Sequence, residues 1–466
     1  MRISLEELVN ATSGKIISKN DIEFSNISTD SRNIKKGDFF VPLSGEKFNG
    51  HNFIEKAFIN GATGCFIEKN EKIEIQKDKT YIEVENVLKA YQNTATFIRE
   101  KLNPFVIGIT GSSGKTSTKE LAYAFLKQFS HVYKTEANFN NEIGVPKTLL
   151  EIDESHKNVI IEMGMRGKGQ IAELANIAKP NIGIITGIGS AHIELLETQE
   201  NIAEAKWELA TFLLSNDEKI IIPAYDEYLN KLAEKYDSKN LLKINLVEDE
   251  SSILYMTKSW FENDKQFFEF FDNETKKNHS VLLSVQGKHQ ISNALLVLAL
   301  GKILNIEYPD FIDLSFENLS GRSESIKIKN LNITNDSYNA NFESMKASIE
   351  TFINMPSLSN KKIIVLGEMK ELGNYSEKYH YELGLFCSSF NFDELIVVGN
   401  NAINIKKGFE TSKSESNKTK IFFSANNLDA SKYIIEKYSN KKVDILFKGS
   451  RGAKLEEIID FIKTNI

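Results

Sequence analysis

One bend of the chain, residues 105–118, most constrains what it can fold into. It reads FVIGITGSSGKTST: an apolar run typical of a buried strand, a turn of glycine and serine, and Lys115-Thr116 at the start of an amphipathic helix. Backbone N–H groups at a helix start, together with the helix dipole, favour bound phosphate. In such a loop Lys115 can reach the β- and γ-phosphates, and the Thr116 hydroxyl can bind Mg²⁺. The segment therefore predicts a nucleoside triphosphate site, with ATP as the first hypothesis.

The bend departs from the strict phosphate-loop pattern. The pattern G-x-x-x-x-G-K-[ST] would place a glycine where this chain has Ile109, and Gly108 lies one residue earlier. The spacing found is Gly108, Gly111 and Gly114, followed by Lys-Thr. A glycine-rich turn with an incidental lysine is the alternative interpretation. The strand before the turn and the helix after it favour the phosphate site.

Composition limits the class of protein and of partner. The 466 residues are enough for about three domains, and 41% hydrophobic with 26% charged residues is typical of packed globular domains. Acidic and basic side chains are interspersed and the net charge is −7, so we expect no nucleic acid partner. The two cysteines, Cys65 and Cys387, are far apart and lack metal-ligand spacing, which predicts ordinary buried thiols in a reducing compartment.

The sequence predicts neither a signal peptide nor a membrane span. The first residues, MRISLEELV, contain no apolar core of a signal sequence. The longest apolar run, ALLVLAL at 294–300, is followed by Gly301 and Lys302 and is too short to cross a bilayer. We therefore expect a cytoplasmic protein with no membrane insertion.

The order of apolar and polar segments predicts an α/β protein in three parts. Residues 1–103 hold short strand-like pieces, and Asn103-Pro104 is a plausible boundary because the residue before proline avoids the helical region. Residues 104–318 and 319–466 alternate β-branched apolar runs with helical patterns, which is typical of parallel sheets buried on both faces. Antiparallel strands are expected within 240–285. The other predicted strands lie at 38–43, 64–68, 80–84, 106–110, 158–162, 182–186, 219–223, 362–366, 394–398, 420–423 and 444–447.

Candidate ligand-binding residues lie where predicted strands end, because ligands of open parallel sheets collect beyond the carboxyl ends of the strands. Glu162 ends one strand and is a suitable oxygen ligand for Mg²⁺, with a solvent-facing carboxylate as the alternative. His192 lies in a glycine-flanked loop after another strand, where a hydrogen-bonding loop histidine is the alternative. Asn138, Asn140 and Asn141 form a further polar group between two strands.

Other candidates are ambiguous on their own. Lys206 lies on a predicted helix, where a lysine is usually a solvated charge. Asn293 precedes an apolar helix and could be its N-cap. The segment NDSYNAN at 335–341 could hydrogen-bond a ribose or an amide, or form an Asx-rich turn. KGSRG at 448–452 could hold an anion, or be a tight turn with surface cations.

Several strings occur along the chain in the order in which one enzyme family carries them. They are TGSSGKT at 110–116, NFNNEIGVP at 138–146, EMG at 162–164, GSAHIE at 189–194, EAK at 204–206 and DSYNAN at 336–341. The chain resembles the Mur ligases of peptidoglycan synthesis over essentially its whole length, including TDSR at 29–32 and GDFFVPL at 37–43. Within that family it is most similar to the members that add D-alanyl-D-alanine to UDP-N-acetylmuramoyl-tripeptide.

The resemblance implies an ATP-dependent amide ligase that works through an acyl phosphate, with those two compounds as substrates. It implies a monomer with three α/β domains: a UDP-sugar domain, a central parallel-sheet domain with the phosphate loop, and a Rossmann-like C-terminal domain. It assigns nucleotide binding to Gly111, Ser112, Ser113, Gly114, Lys115, Thr116, Ser117, Asn293, Arg322 and Asp336. It places Ser31 and Arg32 near the uridine diphosphate, and Asn138, Asn140 and Asn141 near the peptide end.

The resemblance also implies a metal site and its catalytic residues. Thr116 and Glu162 would hold one Mg²⁺ ion, and His192 and a Lys206 carbamylated by CO₂ would help to hold a second. The catalytic residues would be Lys115, His192 and Lys206. Two departures from the family are local: Gln290 replaces an asparagine, and Trp207 follows Lys206 where a small residue is commoner.

Three alternatives remain at this point. A sister ligase that adds the third residue shares the Asp-Ser-Arg feature but usually carries an Asp-Asn-Pro-Arg motif, which this chain lacks. A folate polyglutamate ligase shares the ATPase core but lacks the region ahead of the phosphate loop. A non-catalytic ATP-binding protein would need no metal set, so the presence of Glu162, His192 and Lys206 together argues against it.

Overall fold

The chain folds into two compact units. A computed structural model describes residues 3–20, 24–236, 238–262, 265–316, 320–357, 359 and 361–466. The first unit comprises Met1–Ile109, Phe129–Met165 and Gly169–Gly183. The second unit comprises Thr110–Gln128, Arg166–Lys168 and Ile184–Ile466. The domain boundaries at 103/104 and 318/319 stay a prediction, and residues 318 and 319 lie outside the described residues.

The N-terminal part of the first unit forms a mixed sheet with helices. Its elements are α1 (Leu5–Thr12), β1 (Lys15–Ser18), β2 (Ile27–Ser28), β3 (Phe39–Phe40), α2 (Ile54–Ile59), β4 (Gly64–Glu68), β5 (Thr80–Val84) and α3 (Val87–Leu102). The strand order is β1-β5-β4-β3-β2, with β1 antiparallel to β5 and the other pairs parallel. β3 is shorter than the predicted strand 38–43, because Pro42 has no N–H for a ladder. Phe40, Cys65 and Tyr81 lie in the core beneath this sheet.

The middle of the chain alternates strands and helices, as predicted. Its elements are β6 (Phe105–Thr110), α4 (Lys115–Leu126), β7 (Val132–Lys134), α5 (Gly144–Leu150), β8 (Asn158–Glu162), α6 (Gln170–Ala178), β9 (Ile182–Ile185), α7 (Ile193–Leu196), α8 (Gln199–Ser215), β10 (Lys219–Pro223), α9 (Glu227–Ala233), β11 (Leu241–Asn245), β12 (Leu254–Glu262), β13 (Lys265–Asp272), β14 (Lys277–Leu283), α10 (Lys288–Ile303) and β15 (Phe311–Asp313). In the first unit, β8 pairs in parallel with both β6 and β7. In the second unit, β10, β11 and β12 are parallel neighbours, whereas β12, β13 and β14 are antiparallel, as expected within 240–285.

The C-terminal part of the second unit is a parallel sheet with a Rossmann-like alternation of strands and helices. Its elements are β16 (Glu324–Ile328), β17 (Leu331–Asp336), α11 (Phe342–Asn354), β18 (Lys362–Leu366), α12 (Ser376–Ser388), β19 (Glu394–Val398), α13 (Ile403–Ser412), β20 (Lys420–Ser424), α14 (Asn427–Tyr438), β21 (Val443–Lys448) and α15 (Glu456–Asn465). The strand order is β16-β17-β21-β18-β19-β20, and only β16 runs antiparallel to its neighbour among the described strands of this sheet. The core contains Val365, Ile396 and Ile445 from adjacent strands.

This strand order determines which loops share an edge. Because β17, β21 and β18 are parallel neighbours, the segments after Asp336, Lys448 and Leu366 emerge together at their carboxyl ends. α11 follows the first of these segments. Two polar motifs singled out from the sequence, at 335–341 and 448–452, are thereby placed at one edge of the sheet.

Candidate active site

The phosphate loop between β6 and α4 depends on two glycines. Gly111 has a φ of +151° and Gly114 a φ of +84°, values that favour glycine. A Cβ on Gly111 would lie 1.9 Å from Oγ1 of Thr186, and a Cβ on Gly114 would lie 2.7 Å from Oδ1 of Asn293. Among the described residues no side chain caps α4 at Gly114. This is a cradle that a side chain would fill, at a helix start suited to phosphate.

Lys115, Thr116 and Ser117 form the first turn of α4, as the sequence predicts. The ammonium of Lys115 donates to the carbonyl oxygen of Gly111 at 2.7 Å, so this side chain folds back over the loop. A lysine in this conformation can reach the oxygens of bound phosphates. The same turn carries the hydroxyl of Thr116, a ligand type that Mg²⁺ accepts.

The segment after β9 supports the phosphate loop. Thr186 donates its hydroxyl to the carbonyl oxygen of Ser113, and the carbonyl oxygen of Gly187 accepts the N–H of Ser112 at 2.9 Å. Thr186 was not among the predicted site residues. Its place directly after a strand of a parallel sheet was the signal that could have identified it.

Lys206 lies inside the second unit. It is in the middle of α8 and its side chain is only 2% exposed. Burial, and after it the charge of Lys115, lowers the pKa of Lys206 well below its usual range. The interpretation of Lys206 as a solvated helix lysine is therefore wrong. Burial thus disfavours the ammonium form of this lysine.

His192 is held by a carboxylate from a distant part of the sequence. Its backbone is left-handed, with a φ of +65°, and it precedes α7. Its Nδ1 lies 2.8 Å from a carboxylate oxygen of Glu371, in the segment after β18. The hydrogen bond from His192 is the main cause that lowers the pKa of Glu371. A carboxylate on one ring nitrogen orients the other nitrogen, as is common for metal-binding histidines.

Asn293 lies within α10 rather than at its start. The helix begins at Lys288, so the N-cap interpretation of Asn293 is wrong. Its buried side-chain amide donates to Oε1 of Gln290 at 3.1 Å. Because its carboxamide also approaches Gly114 closely, Asn293 lies beside the phosphate loop.

Arg322 and Asp336 lie near the sheet edge of the C-terminal part. The guanidinium of Arg322 is 4.1 Å from the ring centroid of Tyr338, a cation–π contact. Asp336 ends β17 and pairs with the ammonium of Lys448 at 3.0 Å. Lys448 is buried, so the alternative of surface cations does not hold for this first residue of the 448–452 segment.

The first unit holds the predicted carboxylate and asparagines. Glu162 ends β8 and is 3% exposed, so the solvent-facing alternative is wrong. Its Oε1 accepts a hydrogen bond from Nδ2 of Asn140 at 2.8 Å. Asn141 instead accepts the N–H of Gly144 at 2.9 Å and thereby shapes the start of α5, while Asn138 is exposed.

Ser31 and Arg32 lie elsewhere in the first unit. Arg32 is exposed; its guanidinium donates two hydrogen bonds to the carboxylate of Asp30, at 2.9 and 2.8 Å, and its backbone N–H donates a third at 2.9 Å. These bonds lower the pKa of Asp30 to about 2. Ser31 is buried, and its carbonyl oxygen accepts the Asn60 amide at 2.8 Å.

The predicted metal ligands divide between the two units. Thr116, His192 and Lys206 belong to the second unit and Glu162 to the first, so the complete set stays a prediction. Within the described part of the chain, there is no group of three or more His, Cys, Asp or Glu that could hold a metal ion. The predicted set needs no such group, because a hydroxyl and a carbamate would supply the other oxygens.

Three family models match consecutive segments of the chain. Residues 23–103 match the Mur ligase family catalytic domain, residues 109–301 the Mur ligase middle domain, and residues 321–451 the Mur ligase glutamate ligase domain. The matched segments include the phosphate loop, His192, Lys206 and Asp336.

Curated relatives share most of their length with this chain. It is 36% identical over 389 residues to UDP-N-acetylmuramoyl-tripeptide–D-alanyl-D-alanine ligase of Synechocystis sp., covering 82% of this chain and 80% of that one. It is 33% identical over 443 residues to the Bacillus subtilis ligase of the same name, covering 93% and 92%. Among solved structures, MurF from Acinetobacter baumannii superposes with a TM-score of 0.88 at 25% identity, over 100% of this chain and 99% of that one. MurF ligase from Thermotoga maritima in complex with ADP gives 0.82 at 28% identity, over 94% and 97%.

Extended sequence identity and an extended superposition together define the class: the chain belongs to the Mur ligase family and has its three-domain α/β fold. Within that family it is of the MurF type. In the part of the chain that the structure describes, no helix is both long enough and apolar enough to cross a membrane.

Proposed function

We propose that this protein joins D-alanyl-D-alanine to UDP-N-acetylmuramoyl-tripeptide at the expense of ATP. The products are UDP-N-acetylmuramoyl-pentapeptide, ADP and phosphate, as a step of peptidoglycan precursor synthesis. The observation that carries the proposal is a phosphate loop over which Lys115 folds back, together with a buried lysine, Lys206, in the same unit. The names of the relatives that align over most of this chain support the choice of substrates.

The reaction needs an activated carboxylate, because a free carboxylate would have to expel oxide. An oxygen of the tripeptide carboxylate attacks the γ-phosphorus of ATP, the bond to the β–γ bridging oxygen breaks, and ADP leaves. The neutral amine of the dipeptide then attacks the acyl carbon of the acyl phosphate. The tetrahedral intermediate expels inorganic phosphate and loses the amine proton, which leaves the amide.

The first step brings two anions together, so the site must neutralise phosphoryl charge. Lys115 provides one cation at the loop. Mg²⁺ held by Thr116, Glu162, His192 and Lys206 would supply the remaining positive charge as a Lewis acid. These residues suit the metal because Glu162 is a buried carboxylate and the Nδ1 of His192 is already held by a carboxylate.

Lys206 can join that set only without its positive charge. The neutral amine attacks the carbon of CO₂, a C–N bond forms and one proton is released, which gives a carbamate with anionic oxygens. The lowered pKa of Lys206 supports this step because burial disfavours the ammonium form.

The remaining predicted residues would bind the substrates. Gly111–Ser117 would cradle the triphosphate, Asn293 the adenine, and Arg322 and Asp336 the nucleotide from the C-terminal part. Near the other substrate lie the predicted contacts Ser31, Arg32, Asn138, Asn140 and Asn141. We place the reaction in the cytoplasm and propose that the enzyme is a monomer.

Phosphate release by the purified full chain tests the proposal. With ATP and Mg²⁺ present, release should require both UDP-N-acetylmuramoyl-tripeptide and D-alanyl-D-alanine, and mass spectrometry should detect the pentapeptide. A UDP-dipeptide with a free third amino acid serves as the substrate control for a sister ligase. ATP hydrolysis that is indifferent to these compounds would overturn the assigned function, and activity with the control pair alone would reassign it.

A further inference from the structure

The start of α11 is hydrogen-bonded to the phosphate loop. The amide Nδ2 of Asn341 donates to the Ser113 hydroxyl at 2.9 Å, and Oδ1 of Asn341 lies 3.2 Å from the same hydroxyl. Asn341 is also the N-cap of α11, since its Oδ1 accepts the N–H of Ser344 at 2.9 Å. One side chain therefore links the beginning of this helix to the loop.

The first turn of α11 also holds the segment that precedes His192. One carboxylate oxygen of Glu343 accepts both the N–H and the hydroxyl of Ser190, at 2.8 and 2.9 Å. The other oxygen accepts the side-chain amide of Gln199 at 3.3 Å. Ser190 is completely buried, and a Cβ on Gly189 would lie 2.6 Å from the Glu343 carboxylate. A side chain at position 189 would displace this carboxylate. Hydrogen bonds to a charged acceptor are stronger than those to a neutral one.

We propose that Asn341 and Glu343 are positioning residues, which together form an α11 clamp that fixes the phosphate loop at Ser113 and the His192 segment at Ser190. The clamp rests on the proposed function, in which the loop at Ser113 binds the triphosphate and the segment at His192 binds the metal. Ser190 is two residues from His192, so holding its N–H and its hydroxyl limits where the imidazole can lie. Through the clamp, the first turn of α11 acts on nucleotide binding by way of the two loops that it holds.

Kinetics of three variants test the clamp. Glu343→Ala removes the acceptor of Ser190 and should lower kcat/KM for ATP about 10- to 100-fold. Glu343→Gln keeps an acceptor oxygen and should lose less than about 5-fold. Asn341→Ser keeps a good N-cap but is too short to reach Ser113, so we expect a loss of about 5- to 10-fold. Glu350→Ala, at an exposed position of the same helix, is the matched control and should match wild type.

A double-mutant cycle separates positioning from a general loss of stability. Ser190→Ala should lower kcat/KM for ATP in the wild-type background but lower it by less than about a further 2-fold in Glu343→Ala, because there the hydroxyl has already lost Glu343 and keeps only the N–H of Phe342, at 3.3 Å. Thermal unfolding of each variant serves as the folding control. Full additivity of the two substitutions, or an equal loss in Glu343→Gln and Glu343→Ala, would overturn the clamp.

Calorimetric measurement of ADP affinity separates a failure of the clamp from a failure of the proposed function. Wild-type protein should bind ADP with Mg²⁺, and Glu343→Ala should bind it at least about 5-fold more weakly. If wild type binds ADP and ligates while Glu343→Ala binds ADP equally well, the clamp fails and the function stands. If wild type neither binds ADP nor ligates, the proposed function itself fails.

Discussion

Two regions of the second unit, the phosphate loop and the middle of α8, each carry a lysine, and the environments of these two lysines are opposite. Lys115 is half-buried at a helix start, and its ammonium lies on a backbone carbonyl 2.7 Å away. Lys206 is enclosed in the interior, where burial and the charge of Lys115 lower its pKa. The loop favours a cation next to a bound anion, whereas the interior favours a neutral amine. One residue type thus provides a cation at one place and, under the proposed function, the amine that takes up CO₂ at the other.

Removal of the loop cation should have the largest effect. Lys115→Ala should lower kcat for phosphate release on the order of 10³-fold, because the γ-phosphoryl oxygens lose a preorganised charge. Lys127→Ala, an exposed lysine directly after α4, is the control and should retain wild-type turnover. A loss below about 10-fold for Lys115→Ala would mean that the loop lysine is not the charge that matters.

Loss of the buried amine should have the next largest effect. Lys206→Ala should lower kcat about 10²-fold, because the carbamate oxygens disappear. Wild-type activity should fall when CO₂ is stripped and recover with bicarbonate, and ¹³C-bicarbonate should give a carbamate resonance that Lys206→Ala lacks. Lys231→Ala, exposed on α9, should keep both the activity and the resonance. Near-normal turnover of Lys206→Ala at ordinary bicarbonate would remove the role given to this lysine.

The same contrast explains what the sequence could predict. The strands at 158–162, 219–223 and 362–366 coincide with β8, β10 and β18 because continuous β-branched runs are a local signal. The phosphate loop was predictable for a similar reason, since Gly111, Gly114 and the following lysine are neighbours in sequence. The site residues that local pattern identifies are those whose conformation is set by their own segment.

Site residues whose environment depends on tertiary packing could not be predicted from the local sequence pattern. Nothing in the segment around Lys206 shows that α8 buries this lysine, and family resemblance alone drew attention to it. Glu371 and Glu343 were missed because their partners, His192 and Ser190, are far away in sequence. Each pair joins a loop after β9, in one sheet, to a segment after β17 or β18, in another sheet, so only the tertiary packing of the two sheets places its members together.

A substitution of Gly114 tests whether the backbone of the phosphate loop, as well as its lysine, determines ATP binding. Gly114→Ala should raise KM for ATP about 10-fold, because its φ of +84° is strained for alanine and the new Cβ would approach Asn293 at 2.7 Å. Gly167→Ala is the matched control, since its Cβ would meet no described atom within 4 Å. Equal KM values for the two variants would show that the loop does not depend on glycine at 114.

The smallest expected effect is a change in thermal stability when Lys206 is replaced. Burial lowers the pKa of Lys206 below its usual 10.5, so between the two values the unfolded chain holds a proton that the folded chain has released. Stability from this residue therefore increases as pH rises through that range. In CO₂-free buffer without Mg²⁺, Lys206→Met should raise the apparent Tm by a few degrees at neutral pH, and the gain should shrink toward pH 10.5. Lys231→Met, at an exposed position, is the control, and any change in its Tm should not depend on pH. If the change in Tm of Lys206→Met is equally independent of pH, burial does not neutralise Lys206.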